Sequence, residues 1–459
     1  MIMKYKNIGF VNPPSEFLIE QRVFMSLGIL RVATQLKNKA NVKFLDLTNE
    51  KNYSILINKF ITNNSLDIIC FSATTPQIKD VLKLSKFIKK HFNIKIILGG
   101  PHITLTYSSW ESGTDDIKKI CNNHIDELLK YIDTIVIGDG EYAIHEALNS
   151  DKKIINAEKN PNLYLSKNYD EVAIPDREFL DLSSYNYMID GKKSTNIISQ
   201  MGCPYQCAFC SGRGSKTFNR IRKRSIENII EEINLLYKKY RYEGFMFYDD
   251  EINLNKEYFN NLLISLIKYQ KDNKVQFNLR GYSRSNLLDT EQAELMYKAG
   301  FKWLLVGFES GSNKILKNIN KGCTVEDNTR CFEIAKKNKL KIKALMSIGH
   351  PGESNETIRE TIDWMKYVKP DEHDTTIVSV YPGSYYFNKS TIFNKHLLKY
   401  VDNKTRDVLF IENIDFLKNS NFYKSKPNEY ISFVSTEKLS RKEIVNQRLL
   451  IENEIKNDK

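Results

Sequence analysis

Long hydrophobic runs are missing from this sequence of 459 residues. No stretch of about 18 apolar residues occurs, and the opening MIMKYKNIGFVNPP lacks an apolar segment with a cleavage site. Cysteine is sparse, and its seven residues are an odd number with three close together, which argues against a secreted disulfide framework. We therefore expect a soluble, cytoplasmic protein without a membrane partner, in a reducing compartment.

A concentrated patch of positive charge is also lacking. The formal net charge is +12, from 68 Lys and Arg against 56 Asp and Glu, but the lysines are spread along the chain among asparagines and acids. Nucleic-acid binders concentrate charge on one stripe with interleaved aromatics. Only RIRKR at 220–224 approaches this, and it directly precedes a helix start at Ser225. We expect a solvated loop there and no nucleic-acid partner.

The length exceeds what one hydrophobic core normally serves, so we expect two domains and a tail. In residues 1–150, five apolar strand-like runs (NIGFV, VKFLDL, DIICFSA, IKIILGG, TIVIG) are each followed by a helical pattern, and a loop precedes the helix after the fourth strand. Repeated strand–helix units require a parallel sheet covered on both faces. This predicts an α/β, doubly wound, flavodoxin-like first domain.

Ligands of such sheets bind beyond the carboxyl ends of the strands. Small, polar and glycine residues gather at those ends, and glycine permits close backbone approach or positive φ. By themselves they indicate a ligand crevice. The residues that we single out are Ser72, Thr74, Gly99, Gly100, His102, Gly138 and Glu141.

Residues 151–191 are polar and turn-rich and are predicted to be a linker. A second alternation fills residues 192–384, with six strand–helix units beginning at TNIISQ. Six units are too many for a small open sheet and two short of a closed eightfold barrel. Residues 385–459 look like a helical and loop region.

Three cysteines, Cys203, Cys207 and Cys210, form a C-x-x-x-C-x-x-C array directly after the first strand of this second set. Thiolates so close together suit zinc or an iron–sulfur cluster, but no fourth ligand lies nearby in sequence. If the three thiolates ligate three irons of a four-iron cluster, the fourth iron is open to chelate a small molecule. A zinc site with a distant fourth ligand, or three unrelated buried thiols, are the alternatives.

At this array the sequence resembles the radical S-adenosylmethionine (SAM) superfamily. The resemblance implies a partial six-unit βα barrel, a [4Fe–4S] cluster on the three cysteines, and adenine contact by Phe209, the aromatic residue before the third cysteine. It further implies that SAM is bound by residues that follow successive strands. These are Asp249, Asp250, Arg280, Glu309, Ser310 and Gly349, with Glu251 beside the two aspartates.

The first domain, placed before such a module, resembles the cobalamin-binding domain of many radical SAM enzymes. The serine after the third strand, the GGPH turn and the GDGE turn carry the resemblance. The D-x-H-x-x-G loop, whose histidine binds cobalt in one class of cobalamin proteins, is absent, since the first loop reads NPPSEFLIEQ. Cobalamin without a protein histidine on cobalt is therefore expected; a vestigial domain is the alternative.

Two further residues could line a substrate pocket, although each has an ordinary explanation. His350 lies in the turn after the fifth strand and could be a solvated turn residue. Tyr381 closes the sixth strand and could instead pack the barrel end. No cysteine lies beyond Cys331, so we expect no auxiliary-cluster domain.

The resemblance implies a cobalamin-dependent radical SAM enzyme, with methylation of an unactivated carbon or phosphorus of a small molecule or peptide as the leading interpretation. An external electron donor of the flavodoxin or ferredoxin type is then needed. Rearrangement, cyclisation or ring contraction without methyl transfer is the alternative within enzymes. A tRNA methylthiotransferase is disfavoured because the N-terminal half has only Cys70 and Cys121. A cofactor-binding sensor would not need the radical-generating cysteines.

Overall fold

The N-terminal region folds as a parallel six-stranded sheet in the order β2-β1-β3-β4-β5-β6. The computed structural model describes residues 6–160, 162–163, 169–422 and 429–456. The order of the first five strands is the flavodoxin-like one, which confirms the predicted fold class. The strands are β1 (Asn7–Asn12), β2 (Asn41–Asp46), β3 (Ile68–Ser72), β4 (Lys95–Gly99), β5 (Thr134–Ile137) and β6 (Ile154–Asn156).

Helices cover both faces of this sheet, because successive side chains of a strand point to opposite faces. Ile8 and Phe10 pack in one buried cluster with Ile29 and Ala143, whereas Val11 belongs to the cluster on the other face. The helices are α1 (Leu27–Thr34), α2 (Tyr53–Asn64), α3 (Ile78–His91), α4 (Pro101–Ser112), α5 (Asp115–Leu129) and α6 (Gly140–Asn149).

Two elements of this domain differ from the sequence prediction. The expected loop after β4 is helix α4, which is buried on nearly every side and therefore has no apolar stripe to reveal it. The predicted linker 151–191 begins with strand β6, which pairs parallel to β5. Its residues 161 and 164–168 lie outside the described residues.

The second region forms a seven-stranded sheet in the order β15-β14-β13-β12-β11-β8-β7. Six strands are parallel, as six strand–helix units require, and β7 pairs antiparallel at one edge. The strands of this sheet are β7 (Met188–Ile189), β8 (Lys192–Ile197), β11 (Gly244–Phe247), β12 (Asn278–Ser283), β13 (Phe301–Glu309), β14 (Lys341–Ile348) and β15 (Glu372–Ile377). A separate antiparallel pair, β9 (Gln200–Met201) and β10 (Arg222–Lys223), flanks the cysteine loop.

Helices accompany this sheet at the predicted places. Ser225 starts one of them, because its hydroxyl accepts a 3.1 Å hydrogen bond from the Asn228 N–H. The helices are α7 (Lys216–Asn219), α8 (Ile226–Tyr240), α9 (Lys256–Asn273), α10 (Thr290–Ala299), α11 (Asn313–Asn318), α12 (Val325–Lys337) and α13 (Asn355–Val368).

The C-terminal region is more than the helices and loops expected from the sequence. After α14 (Tyr385–Asn388) it forms an antiparallel sheet in the order β16-β17-β18-β19, and α15 (Arg441–Lys456) packs against α13 and β15. Strand β17, and β18 from Leu409 onwards, alternate buried and half-buried residues, the period-2 pattern that the prediction overlooked. The strands are β16 (Thr391–Asn394), β17 (Leu397–Val401), β18 (Val408–Glu412) and β19 (Val434–Thr436).

Polar contacts join the first domain to the barrel. The Asn196 side chain of β8 accepts from the Met25 N–H at 3.2 Å and donates to the Met25 carbonyl at 2.9 Å. A buried ion pair of 2.5 Å joins Arg222 to Asp139. The carboxyl ends of both parallel sheets therefore meet at one interface. Within the described residues, no helix is long and apolar enough to cross a membrane.

Candidate cofactor sites

The cysteine loop lies at the carboxyl end of β8. Backbone hydrogen bonds hold it: Cys203 N–H to Phe218 O at 2.9 Å, Cys210 N–H to Cys207 O at 3.1 Å and Ala208 N–H to Ile319 O at 2.8 Å. Glycine is required before it at Gly202, where φ is +88° and a Cβ would stand 2.1 Å from the Arg220 carbonyl oxygen. The loop is thus fixed by backbone contacts, which leaves its thiols free for a ligand.

No three His, Cys, Asp or Glu side chains of the described residues converge closely enough to hold a single metal ion. The thiols of an iron–sulfur cluster bind different iron atoms, so their sulfurs need not share one ion. The cysteines nevertheless share one environment with acids: burial raises the pKa of Cys203 to about 12, and Glu251, Asp250 and Cys210 add to that effect.

The three consecutive acids after β11 have different environments. The Asp249 carboxylate is buried and accepts hydrogen bonds from the Ser199 N–H at 2.7 Å, the Gln200 N–H at 3.1 Å and the Ser199 hydroxyl. Asp250 is exposed and accepts from the Gly202 N–H at 2.8 Å. The structure therefore assigns Asp249 to holding the strand end.

The Glu251 side chain faces the same space as Asp250. Burial raises its pKa to about 7, against opposing effects of Lys321 and Arg284. No hydrogen bond to its carboxylate is found among the described residues. Asp250 and Glu251, rather than Asp249, are therefore available to receive the ammonium group of SAM.

Glu309 ends β13 in an unusual conformation. Its φ is +66°, and the register of β13 against β14 shifts between Gly307 and Glu309. Its Oε1 accepts from Lys321 Nζ at 3.0 Å and its Oε2 from Ser347 Oγ at 2.9 Å. The bulge thus places the Glu309 carboxylate, with its two donors, at the strand ends. Backbone strain of this kind is frequent at functional sites.

Lys321 connects Glu309 to the cysteines. Burial lowers its pKa, but the nearby Glu309, Cys207 and Glu251 outweigh this effect, so the pKa is raised overall and the amine stays charged. The sequence analysis missed Lys321 because a single lysine among many carries no signal. The cysteine loop, Asp250, Glu251, Glu309 and Lys321 thus form one charged chamber at the barrel mouth.

The three other predicted SAM contacts stay predictions, and the structure shows the protein neighbours of each. The hydroxyl of Ser310 lies 3.1 Å from Thr361 Oγ1 of α13. A Cβ at Gly349 would meet Val434 and Val378. Arg280 contacts the Tyr187 hydroxyl at 3.4 Å and stands over the Trp303 ring.

His350 is fully buried, so a solvated turn residue is the wrong interpretation. Its Nε2 lies 2.8 Å from Ser347 Oγ and its Nδ1 3.4 Å from the Tyr386 hydroxyl. Its ring centroid is 5.4 Å from that of half-buried Phe209, the predicted adenine contact. His350 therefore stands behind the chamber rather than in a substrate pocket.

Two neighbouring cavities occupy the crevice of the first domain. The smaller, ≈ 180 Å³, is lined at the strand ends by the predicted residues Ser72, Gly99, Gly100, Gly138 and Glu141. Beyond Gly100 there is no room for a Cβ, since one would stand 2.5 Å from Ser72 Oγ, and φ there is +97°. Apolar side chains make up most of the remaining wall.

The larger cavity, ≈ 660 Å³, lies between the two domains. Thr74 and Pro101 line it from the first domain, and Asn196, Tyr248 and Tyr381 line it from the barrel. Tyr381 thus faces the interface, with its ring 5.6 Å from that of Phe422. Gly28 and Pro101 line both cavities, so the two spaces adjoin.

His102 faces neither cavity, which corrects its predicted role. It is buried, with its Nε2 2.7 Å from His124 Nε2 and its Nδ1 3.2 Å from Thr75 Oγ1. Burial lowers the pKa of both histidines, to about 4 for His124, so the pair is neutral. No described histidine lines either cavity.

Two family models match these two regions. Residues 197–365 match the radical SAM superfamily, and residues 22–119 match the B12 binding domain. The chain therefore has a radical SAM domain preceded by a B12-binding domain. The resemblance stated from the sequence is thus confirmed, and with it the set of cofactors that such domains serve: an iron–sulfur cluster, SAM and cobalamin.

Individual relatives align with this chain over most of its length. An uncharacterized methyltransferase of Pyrococcus horikoshii is 28% identical over 402 residues, which are 83% of this chain and 82% of that protein. An anaerobic magnesium-protoporphyrin IX monomethyl ester cyclase of Rubrivivax gelatinosus is 25% identical over 72% of this chain and 59% of its own length.

Among solved structures, the radical SAM methyltransferase TsrM from Kitasatospora setae, with tryptophan and a SAM analogue bound, superimposes with a TM-score of 0.69. It covers 98% of this chain and 88% of its own chain at 14% identity. This similarity shows the fold.

The residues present fit the cofactors of a radical SAM protein with a B12-binding domain. Three thiols on one backbone-fixed loop, beside carboxylates that can take an ammonium group, suit a cluster with an open iron. In the other domain, Gly99 lines the smaller cavity, and no atom lies nearer than 3.8 Å to its Cβ position, so the missing side chain leaves room for a ligand.

Proposed function

We propose that the protein is a cobalamin-dependent radical SAM methyltransferase that methylates an unactivated carbon, or phosphorus, of a small molecule or peptide in the cytoplasm. The observation that carries the proposal is the 660 Å³ cavity where the B12-binding domain faces the barrel mouth. A substrate there would lie between the two cofactors. Bound together, these cofactors supply an electron, a carbon-centred radical and a methyl group.

The residues of the chain have separate roles in this proposal. Cys203, Cys207 and Cys210 hold the cluster. Asp250 and Glu251 take the ammonium of SAM, and Glu309, held by Lys321, faces the ribose hydroxyls. Phe209 packs against adenine.

The cobalamin contacts are proposed on the two adjoining cavities. The glycine-lined smaller cavity receives the nucleotide tail, and the larger receives the corrin ring. Tyr381 and Tyr248 line the space that remains for substrate. An external flavodoxin- or ferredoxin-type donor delivers the electron, since the chain has no cysteine for a further cluster after Cys331.

A cyclase or rearrangement enzyme is the second candidate, favoured by the similarity to the Rubrivivax gelatinosus cyclase. The two candidate functions differ in whether a methyl group passes from SAM to cobalamin. This transfer can be measured without substrate. The reduced protein, loaded with cobalamin, is given SAM with a deuterated methyl group. The methyltransferase proposal expects the labelled methyl group on cobalamin and an equal amount of S-adenosylhomocysteine. Cobalamin that stays unlabelled, with S-adenosylhomocysteine absent, would favour the cyclase.

A further inference from the structure

A buried row of polar side chains runs behind Glu309. Ser347 Oγ lies 2.9 Å from Glu309 Oε2 and 2.8 Å from His350 Nε2, and His350 Nδ1 lies 3.4 Å from the Tyr386 hydroxyl. Ser347, His350 and Tyr386 are all buried, and the last two are almost completely so. Buried polar side chains of this kind must satisfy one another.

The direction of every hydrogen bond in this row is fixed by elimination. A carboxylate only accepts, so the single Ser347 proton goes to Glu309. Ser347 Oγ must then accept from His350, which requires the Nε2–H tautomer. Nδ1 is left as an acceptor, which suits donation by the Tyr386 hydroxyl. Burial lowers the pKa of His350 to about 4, in agreement with a neutral ring.

Glu309 needs such support because of its own geometry. Its backbone is in the left-handed region, at φ +66°, and its side chain leaves the strand at a bulge. Lys321 holds one carboxylate oxygen and Ser347 the other. A Cβ at Gly307 would meet Glu309 Oε1 at 2.6 Å, so Gly307 leaves room for the carboxylate.

We propose that His350 is a positioning residue that, through Ser347, fixes the Glu309 carboxylate for recognition of the SAM ribose hydroxyls. This inference rests on the proposed function, because it takes Glu309 as a SAM contact. Since Nε2–H is the group that acts, an amide that places N–H at a similar distance can replace the imidazole, whereas an apolar side chain cannot.

The test measures by calorimetry how reconstituted protein binds three ligands: S-adenosylhomocysteine, its 2′-deoxy analogue and its 3′-deoxy analogue. In the unaltered protein, loss of a hydroxyl that bonds a carboxylate should weaken binding about tenfold. In His350→Leu this penalty should fall to about threefold or less, because Glu309 is no longer held. His350→Gln, which retains an N–H donor, should keep most of the penalty.

Each of the other outcomes contradicts either this inference or the proposed function. If His350→Leu keeps the full ribose penalty, or His350→Gln loses it as completely as His350→Leu, His350 only fills space and the inference is wrong. If the unaltered protein binds no S-adenosylhomocysteine, the proposed function itself fails, and the inference with it.

A second measurement reads the tautomer in the unaltered protein and uses a variant only to assign the signals. In protein labelled with ¹⁵N-histidine, which has seven histidines, the His350 signals are those absent from His350→Gln. They should show the neutral Nε2–H tautomer. A charged ring or the Nδ1–H tautomer would overturn the hydrogen-bond directions on which the inference depends.

Discussion

Asp249 Oδ1 accepts a 2.7 Å hydrogen bond from the backbone N–H of Ser199, and this contact joins the end of β11 to the strand before the cysteine loop. Its other oxygen accepts from the Gln200 N–H and the Ser199 hydroxyl. Asp249 therefore shapes the loop that presents the cysteines, while its neighbours Asp250 and Glu251 face the chamber.

Replacing Asp249 should destabilise the protein, whereas replacing Glu251 should weaken SAM binding. Asp249→Ala leaves buried donors without a partner, so we expect the free energy of unfolding to fall by about 2 kcal/mol or more in urea denaturation. Glu251→Gln removes a charge from the chamber and should weaken SAM affinity about tenfold, with little change in stability. Equal stability of both variants, with SAM binding lost only in Asp249→Ala, would reverse these assignments.

The cluster should depend on three cysteines and no others. Alanine at Cys203, Cys207 or Cys210 should abolish most iron uptake in anaerobic reconstitution, because each thiol holds a different iron. Alanine at Cys323 or Cys331 is the matched control: Cys331 lies on α12 and is buried in the core, and iron content should not change. Full iron in the triple variant would refute the site.

Gly99 offers a cleaner probe of the cobalamin cavity than Gly100. A side chain at Gly100 would collide with Ser72 and strain the backbone, so its loss of binding could reflect misfolding. At Gly99 the nearest atoms are 3.8 Å from the Cβ position, on Val136, and the residue lines the smaller cavity. Gly99→Leu should therefore fill the cavity and block hydroxocobalamin while the protein still takes up iron. Full cobalamin occupancy in this variant would place the ligand elsewhere.

The bound cobalt should carry no histidine. His102 and His124 hold each other, and no described histidine lines either cavity. Reduced protein with cob(II)alamin should therefore give an electron paramagnetic resonance spectrum without nitrogen splitting from imidazole. Such splitting, unchanged in His102→Leu, would mean that another histidine reaches the cobalt.

Regular features of the fold could be predicted from the sequence, because buried parallel strands read as continuous apolar runs. The runs at β3 and β4 led directly to the first sheet. Helix α4 was missed because most of its buried residues are polar, so the sequence shows no apolar stripe there. The C-terminal sheet was missed because its strands are short and separated by polar turns.

The site was predictable only where residue type and spacing carry the chemistry. Cys203, Cys207 and Cys210 are adjacent in sequence, so the sequence alone identifies them. Ser347 joins Glu309 only through the three-dimensional fold, since it lies on the next strand, β14. Lys321 follows Glu309 in the same unit, in the loop between α11 and α12, where the sequence does not show that it turns back to the carboxylate. His102 follows the Gly–Gly–Pro turn as in the family pattern, yet the first turn of α4 directs its ring towards His124.

The most direct test of the central claim is to reconstitute the full chain anaerobically with iron, sulfide and cobalamin and to analyse one sample for all three. The account predicts about four iron and about four sulfide per chain, together with bound cobalamin. Adding SAM should change the electron paramagnetic resonance signal of the reduced cluster. A chain that binds zinc instead of iron, or a cluster whose signal is unaffected by SAM, would contradict the account.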